Sequence, residues 1–148
     1  PFGLPVQGGT KITTSLDDLL DALKFDAERP KLTHRLDRDT SGVLVLARNA
    51  KIAAMLTKAF AEKRIEKTYL ALVNNTPLQL QGTIDYKLIK AIAAEQSHER
   101  VAVDDEDGKY AKTEYRVLES LARKFALMEL KPLTGRTHQL RVHMQSIG

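Results

Sequence analysis

An α+β fold, a mostly antiparallel mixed sheet flanked by helices, is what the sequence predicts, and three observations predict it. Two early stretches and one at the end carry apolar residues at helical spacing behind a capping residue. Between them, from Lys67 to Leu130, five short apolar or alternating runs are separated by polar turns. Strands that follow one another with few intervening helices suit antiparallel pairing better than a parallel sheet of alternating strands and helices. Finally, 148 residues with 43% hydrophobic and 28% charged side chains suit one soluble globular domain with a working core.

The elements follow in chain order. Pro1 to Gly9 holds two prolines and three glycines and reads as irregular. Ser15 precedes Leu16, Leu19, Leu20 and Leu23, with Asp17 and Asp18 in the first turn, which predicts a capped amphipathic helix to about Phe25. Arg29-Pro30 closes that segment. After a polar stretch from His34 to Gly42, the continuous apolar run Val43 to Ala47 reads as a strand buried on both faces. Asn49 is placed to cap a helix from Ala50 to about Lys63, with Ile52, Met55, Leu56, Ala59 and Phe60 on its apolar face. Lys58, Lys63, Arg64 and Lys67 cluster at its far end, where cations complement the helix dipole or contact phosphate.

Lys67 to Val73 alternates Tyr69, Ala71 and Val73 with Leu70 and Leu72, a strand covered on both sides. Ile84 to Ala93, Arg100 to Val103, Lys112 to Leu118 and Phe125 to Leu130 complete the strands, with Asp104 to Gly108 as an acidic hairpin tip in solvent. That turn lacks the remote glutamate of a calcium loop. Gly135 then breaks the chain, Thr137 can cap, and Leu140, Met144 and Ile147 recur at helical spacing, which predicts a helix from about His138 to Ile147. His138, Arg141 and Gln145 share the face away from that stripe.

Composition narrows the function classes. There is no cysteine, hence no disulfide framework or thiolate metal site, and the four histidines lack metal-ligand spacing. No apolar run approaches the roughly 20 residues of a membrane span. A cytoplasmic setting is the default. The formal net charge of +4, from 23 basic and 19 acidic residues, is compatible with a polyanionic partner without requiring one. The chemistry-bearing stretch is His34-Arg35-Leu36-Asp37-Arg38-Asp39-Thr40-Ser41-Gly42, in which Asp37 has arginines on both sides and a histidine three residues back. Cationic neighbours favour the ionised carboxylate, a usable nucleophile or base.

This stretch, together with Gly135-Arg136-Thr137-His138-Gln139-Leu140-Arg141-Val142-His143, resembles the RluA-type family of RNA pseudouridine synthases, the large-subunit ribosomal RNA type. Its hallmark segments read His-Arg-Leu-Asp-x-x-Thr-Ser-Gly and Gly-Arg-Thr-His-Gln-Leu/Ile-Arg-Val-His. Two ungapped runs of about ten specified residues in the right order are far more specific than a lone glycine motif. The resemblance implies the pseudouridine synthase fold, a bifurcated sheet with a central cleft. It makes Asp37 the catalytic aspartate, Arg141 the guanidinium that pairs with it, and Tyr69, in its Lys-x-Tyr-x-Ala context, the aromatic that lies against the target base. Arg35 would enter the space left by the flipped uridine. Arg38, Thr40, Ser41, Arg136, His138 and Gln139 complete the expected RNA-contacting set, with His138 and Gln139 either facing RNA or supporting the groups that do. His34 and His143 are expected as structural hydrogen-bonders.

Such an enzyme needs no cofactor and no metal, since conversion of uridine to pseudouridine breaks a C1′–N1 bond and makes a C1′–C5 bond without net redox change. The aspartate could attack base C6 or ribose C1′, or remove a ribose proton, and the residues do not choose among these. Each route needs the uridine out of its stack. Expected partners are large-subunit ribosomal RNA or transfer RNA, with the protein a monomer. By the same resemblance, residues 1–148 are a partial catalytic domain lacking an N-terminal strand, an S4-like region and a C-terminal closing segment. Two rival classes are a noncatalytic RNA-binding module, in which Asp37 is dispensable, and a glycosyl hydrolase, which would want a second carboxylate across a sugar.

Overall fold

The computed structural model describes residues 1–9, 12–24, 26, 28–92, 99–104 and 106–148. The chain falls into two compact units, Pro1–Ile65 and Glu66–Gly148.

In the first unit the N-terminal segment is irregular, and it satisfies the start of the first helix: Leu16 N donates to the Pro5 carbonyl at 2.8 Å and Asp17 N to that of Val6 at 3.0 Å. Helix α1 (Leu16–Leu19) opens on a capping box, the Asp18 carboxylate accepting from both the backbone N and the hydroxyl of Ser15 at 2.8 Å. The Ser15 hydroxyl, followed by its backbone N–H, holds the Asp18 carboxyl below its ordinary range. The helix continues only as a 3₁₀ turn, Leu20–Leu23. It is therefore shorter than its apolar spacing predicts, and Phe25, the expected end, lies outside the described residues. Only Leu20 is buried there, while Leu19 and Leu23 are exposed, so little packing sustains further turns. Arg29 donates to the Asp17 carbonyl and pairs with the carboxylates of Asp17 (3.0 Å) and Asp21 (3.3 Å), which draws the chain back over this helix.

Strands β1 (Lys31–Leu32) and β2 (Leu46–Ala47) form a two-stranded antiparallel ribbon. The longer strand expected at Val43 to Ala47 is thus corrected. Val43 is 82% exposed, and only Leu46 and Ala47 find partners, because an apolar run does not by itself supply a neighbouring strand. Helix α2 (Ala50–Ala61) starts where the cap predicts, the Asn49 side chain accepting from Ile52 N at 3.0 Å. Its inward stripe is narrower than expected: Leu56, Ala59 and Phe60 are half-buried, whereas Ile52 and Met55 face solvent.

Among the described residues, the second unit holds a five-stranded sheet in the order β3-β7-β6-β4-β5, from β3 (Tyr69–Asn74), β4 (Gln81–Ile92), β5 (Glu99–Val103), β6 (Lys109–Leu121) and β7 (Phe125–Pro132). Every described pairing is antiparallel, which gives the expected α+β class its sheet. Helix α3 (Gln139–Ser146) lies on one face. There Leu140, Met144 and Ile147 pack with Tyr69, Ala71, Val73 and Val117 against a core of Ile84, Tyr115, Ala126, Met128 and Leu130. The opposite face of β3 is open, with Leu70 67% and Leu72 74% exposed. The expectation that β3 is covered on both sides is therefore corrected: its alternation marks a strand with one buried face.

The acidic turn also differs. Asp104 to Gly108 links β5 to β6, but both strands pair with β4, Leu88 being the partner of Val103 and of Lys109, so the turn is no hairpin tip. The Asp104 side chain accepts from Glu106 N and Asp107 N at 3.0 and 2.8 Å, and Gly108 N donates to the Asp104 carbonyl at 3.1 Å. Among the described residues no helix is long and apolar enough to cross a membrane.

Candidate active site

In the first unit, the loop from His34 to Gly42 brings Arg35, Asp37, Arg38, Thr40 and Ser41 onto one short segment. Asp37 opens a tight turn in which Thr40 N donates to the Asp37 carbonyl at 2.9 Å. The N-terminal segment supports that turn, Gly3 N donating to the Arg38 carbonyl at 2.9 Å. Asp37 is half-buried, while Arg35, Arg38 and Ser41 are exposed. Gly42 has φ +144°, a conformation that side chains rarely adopt, so glycine here follows from the backbone path.

The cations flanking Asp37 are not all aimed at it. Arg38 pairs with Asp39, Nε to Oδ1 at 3.2 Å. The ring of His34 turns toward the ribbon, its Nε2 accepting from Val45 N at 2.9 Å, and lies 4.5 Å from the ring of Phe60. As an acceptor, Nε2 carries no proton, which puts it on Nδ1. Thr33 Oγ1 donates to the Val45 carbonyl at 3.0 Å, so two adjacent side chains tie the loop to the segment that follows it. His34 is a structural hydrogen-bonder, as expected.

The second unit holds Tyr69, Arg136, His138, Gln139 and Arg141. Tyr69 opens β3 opposite Leu130 of β7 and packs on the same core as α3. Arg141 lies on an exposed position of α3. The helix begins differently from the expectation that Thr137 caps it. His138 stands at the cap position in the left-handed conformation, φ 51°, and offers no side-chain cap bond. Gln139 carries the local structure instead. Only 3% exposed, it accepts at Oε1 from Thr134 Oγ1 (2.7 Å) and Arg136 N (2.9 Å), and donates from Nε2 to the Lys112 carbonyl and Thr113 Oγ1 (both 2.9 Å). Of its two expected placements, then, Gln139 has the inward one: both ends of its amide are used within the protein, and the side chain has no surface to offer a ligand.

The network continues inward. Thr113 Oγ1 lies 2.8 Å from Nδ1 of the fully buried His143, whose ring meets that of Tyr86 edge-on at 6.4 Å. Burial pushes the His143 pKa below its ordinary 6.5, against a smaller opposing pull from the Asp85 carboxylate. Outward, Arg136 is fixed at two points, its backbone N on Gln139 and its Nε on the Tyr110 carbonyl at 3.0 Å. Thr113 and Thr134 are the structural residues that motif reading missed. The signal for Thr113 was present, since β6 alternation puts it on the same buried face as Ala111 and Tyr115. Among the described residues no group of three or more His, Asp or Glu lies where it could hold a metal ion.

The family model for RNA pseudouridylate synthase matches residues 1–146. The chain belongs to this family. Ribosomal large subunit pseudouridine synthase C of Rickettsia bellii is 41% identical over 149 residues, covering 100% of this chain and 48% of that protein. The mitochondrial RNA pseudouridine synthase 4 of Arabidopsis thaliana is 42% identical over 167 residues, covering 99% of this chain and 35% of that protein. Among solved structures, human RNA pseudouridylate synthase domain containing 4 superposes with a TM-score of 0.82 at 31% identity, over 99% of this chain and 58% of that one. The chain thus spans about half or less of the curated relatives named here. Within this chain the motif with Asp37 belongs to the first unit, and those with Tyr69 and Arg141 to the second.

Proposed function

We propose that this chain isomerises uridine to pseudouridine in RNA, with large-subunit ribosomal RNA as substrate and Asp37 as the catalytic residue. The observation that carries the reading is family membership across residues 1–146, with Asp37 at the head of a hydrogen-bonded turn. Uridine isomerisation asks for one ionised carboxylate and an extruded nucleotide. Asp37 supplies the first, whether it attacks the base, attacks the ribose or removes a ribose proton. In this reading Arg141 pairs with it and fixes its orientation, a bidentate guanidinium being suited to a carboxylate. Tyr69 stacks on the flipped base and Arg35 fills the space it leaves. Arg38, Thr40, Ser41, Arg136 and His138 contact the RNA backbone, and Gln139 supports Arg136 from within. Residues 1–148 then belong to the catalytic domain of a monomer in the cytoplasm.

The test is incubation of unmodified large-subunit ribosomal RNA transcript with the chain, wild type beside Asp37→Asn, with pseudouridine mapped by carbodiimide-dependent reverse-transcription stops. Stops made by the wild type and absent with the variant are the expected result. If neither protein makes stops on ribosomal or transfer RNA, yet both bind them with steep salt dependence, the chain is an RNA-binding module and the synthase reading is overturned.

A further inference from the structure

Lys67 stands two residues before Tyr69, at the entry to β3, and is half-buried. Its Nζ lies 3.7 Å from the point where a Cβ on Gly135 would sit, so the ammonium rests against the loop that carries Arg136 and leads into α3. Within the second unit, these two short motifs therefore meet at a lysine and a glycine. Among the described residues of this unit, Asp85 pairs with Lys112 at 3.4 Å and Glu129 with Arg116 at 3.1 Å. Burial lowers the Lys67 pKa with no opposing cause. An ammonium that loses water without gaining an anion is a cost to the fold, and an arriving anion recovers it.

The neighbourhood says which anion. Gly135 brings no side chain over the ammonium, and a larger residue there would cover it. Arg136, next in sequence, is exposed and has its Nε held by the Tyr110 carbonyl, so its terminal nitrogens have a fixed direction of approach. Two cations from separate segments, Lys67 against Gly135 and Arg136 next in sequence to that glycine, suit an extended polyanion better than a single carboxylate. We infer that Lys67, seated against Gly135, is an anchor for a backbone phosphodiester of the RNA substrate, with Arg136 taking an adjacent phosphate. The inference rests on the reading that this chain acts on RNA. Lys67 is a positioning residue: it touches no reacting atom and sets where the backbone beside the target nucleotide lies.

The test compares wild type, Lys67→Met, Lys67→Arg and Gly135→Leu for binding to unmodified large-subunit ribosomal RNA transcript across a salt series, with melting temperatures and pseudouridine formation alongside. Lys67→Met is expected to weaken binding about tenfold at low salt and to reduce the slope of log K against log salt by about 0.7 to 0.9, one released counterion. Its KM should rise while kcat at saturation is held. Its melting temperature should stay level or rise, because a dehydrated charge has gone. Lys67→Arg should keep the wild-type slope, and Gly135→Leu should follow Lys67→Met. An unchanged slope in Lys67→Met overturns the anchor, and so does a fall in kcat or in melting temperature at unchanged slope. If wild type binds RNA but forms no pseudouridine, the synthase reading fails and the slopes alone judge the anchor. If wild type does not bind RNA, both fail.

Discussion

Gln139 shows how much one buried amide can organise. Its four hydrogen bonds join the end of β7, the start of β6 and the loop carrying Arg136. Gln139→Leu keeps the volume roughly and strands donors and acceptors on all three. At about 1–3 kcal/mol for each buried group left without a partner, a loss of roughly 2 kcal/mol or more is expected in urea unfolding. Pseudouridine formation should fall further than stability does, since Arg136 loses its support. His143 gives a second residue-scale test. With its pKa lowered by burial, the unfolded chain takes up a proton at higher pH than the folded one does. Its contribution to stability is therefore complete above about pH 6.5 and is lost as pH falls below that value. Melting temperatures from pH 8 to 5 should decline more steeply in wild type than in His143→Gln, and equal slopes would remove His143 as the cause.

Elements whose signals are local were legible, and two of them make clean tests. Asn49 caps α2 through one side-chain bond to Ile52 N, so Asn49→Ala should lower stability by about 1 kcal/mol, read from the denaturant midpoint. Gly108 is required by space: a Cβ there would come within 2.1 Å of the Asp104 carbonyl oxygen and 2.8 Å of the Lys87 backbone. Backbone atoms cannot swing aside as a side-chain end can, and Gly108→Ala is expected to cost roughly 1–3 kcal/mol. The acidic turn was read correctly as a turn, because Asp and Gly act on their own backbone. Its hairpin reading failed because strand order is decided by pairing with β4, which no residue in the turn encodes. Val43 to Ala47 failed for a related reason: its apolar run was seen, and the shortness of its partner β1 was not.

At the scale of the whole molecule, Asp37 lies in the first compact unit and Tyr69 and Arg141 in the second. The formal net charge of +4 is modest, so attraction to RNA should come from local clusters such as Lys67 with Arg136 and should be screened by salt. Affinity for unmodified ribosomal RNA is expected to fall by more than about tenfold between 50 and 200 mM salt. A flat response would argue against phosphate contact as the basis of binding.

By itself the sequence determined the α+β class, the capped starts of α1 and α2, the approximate positions of β3 to β7, and the two motifs that mark the family, because caps, turns, periodicity and motif spacing are carried by residues close together in the chain. Only the tertiary structure decided which face of β3 is covered, that Gln139 turns inward, and that Lys67 meets Gly135. Those outcomes depend on partners far apart in sequence, such as Thr113 with Gln139 and His143 at separations of 26 and 30 residues. Burial and hydrogen bonding between such partners exist only once the sheet has paired and α3 has docked on it.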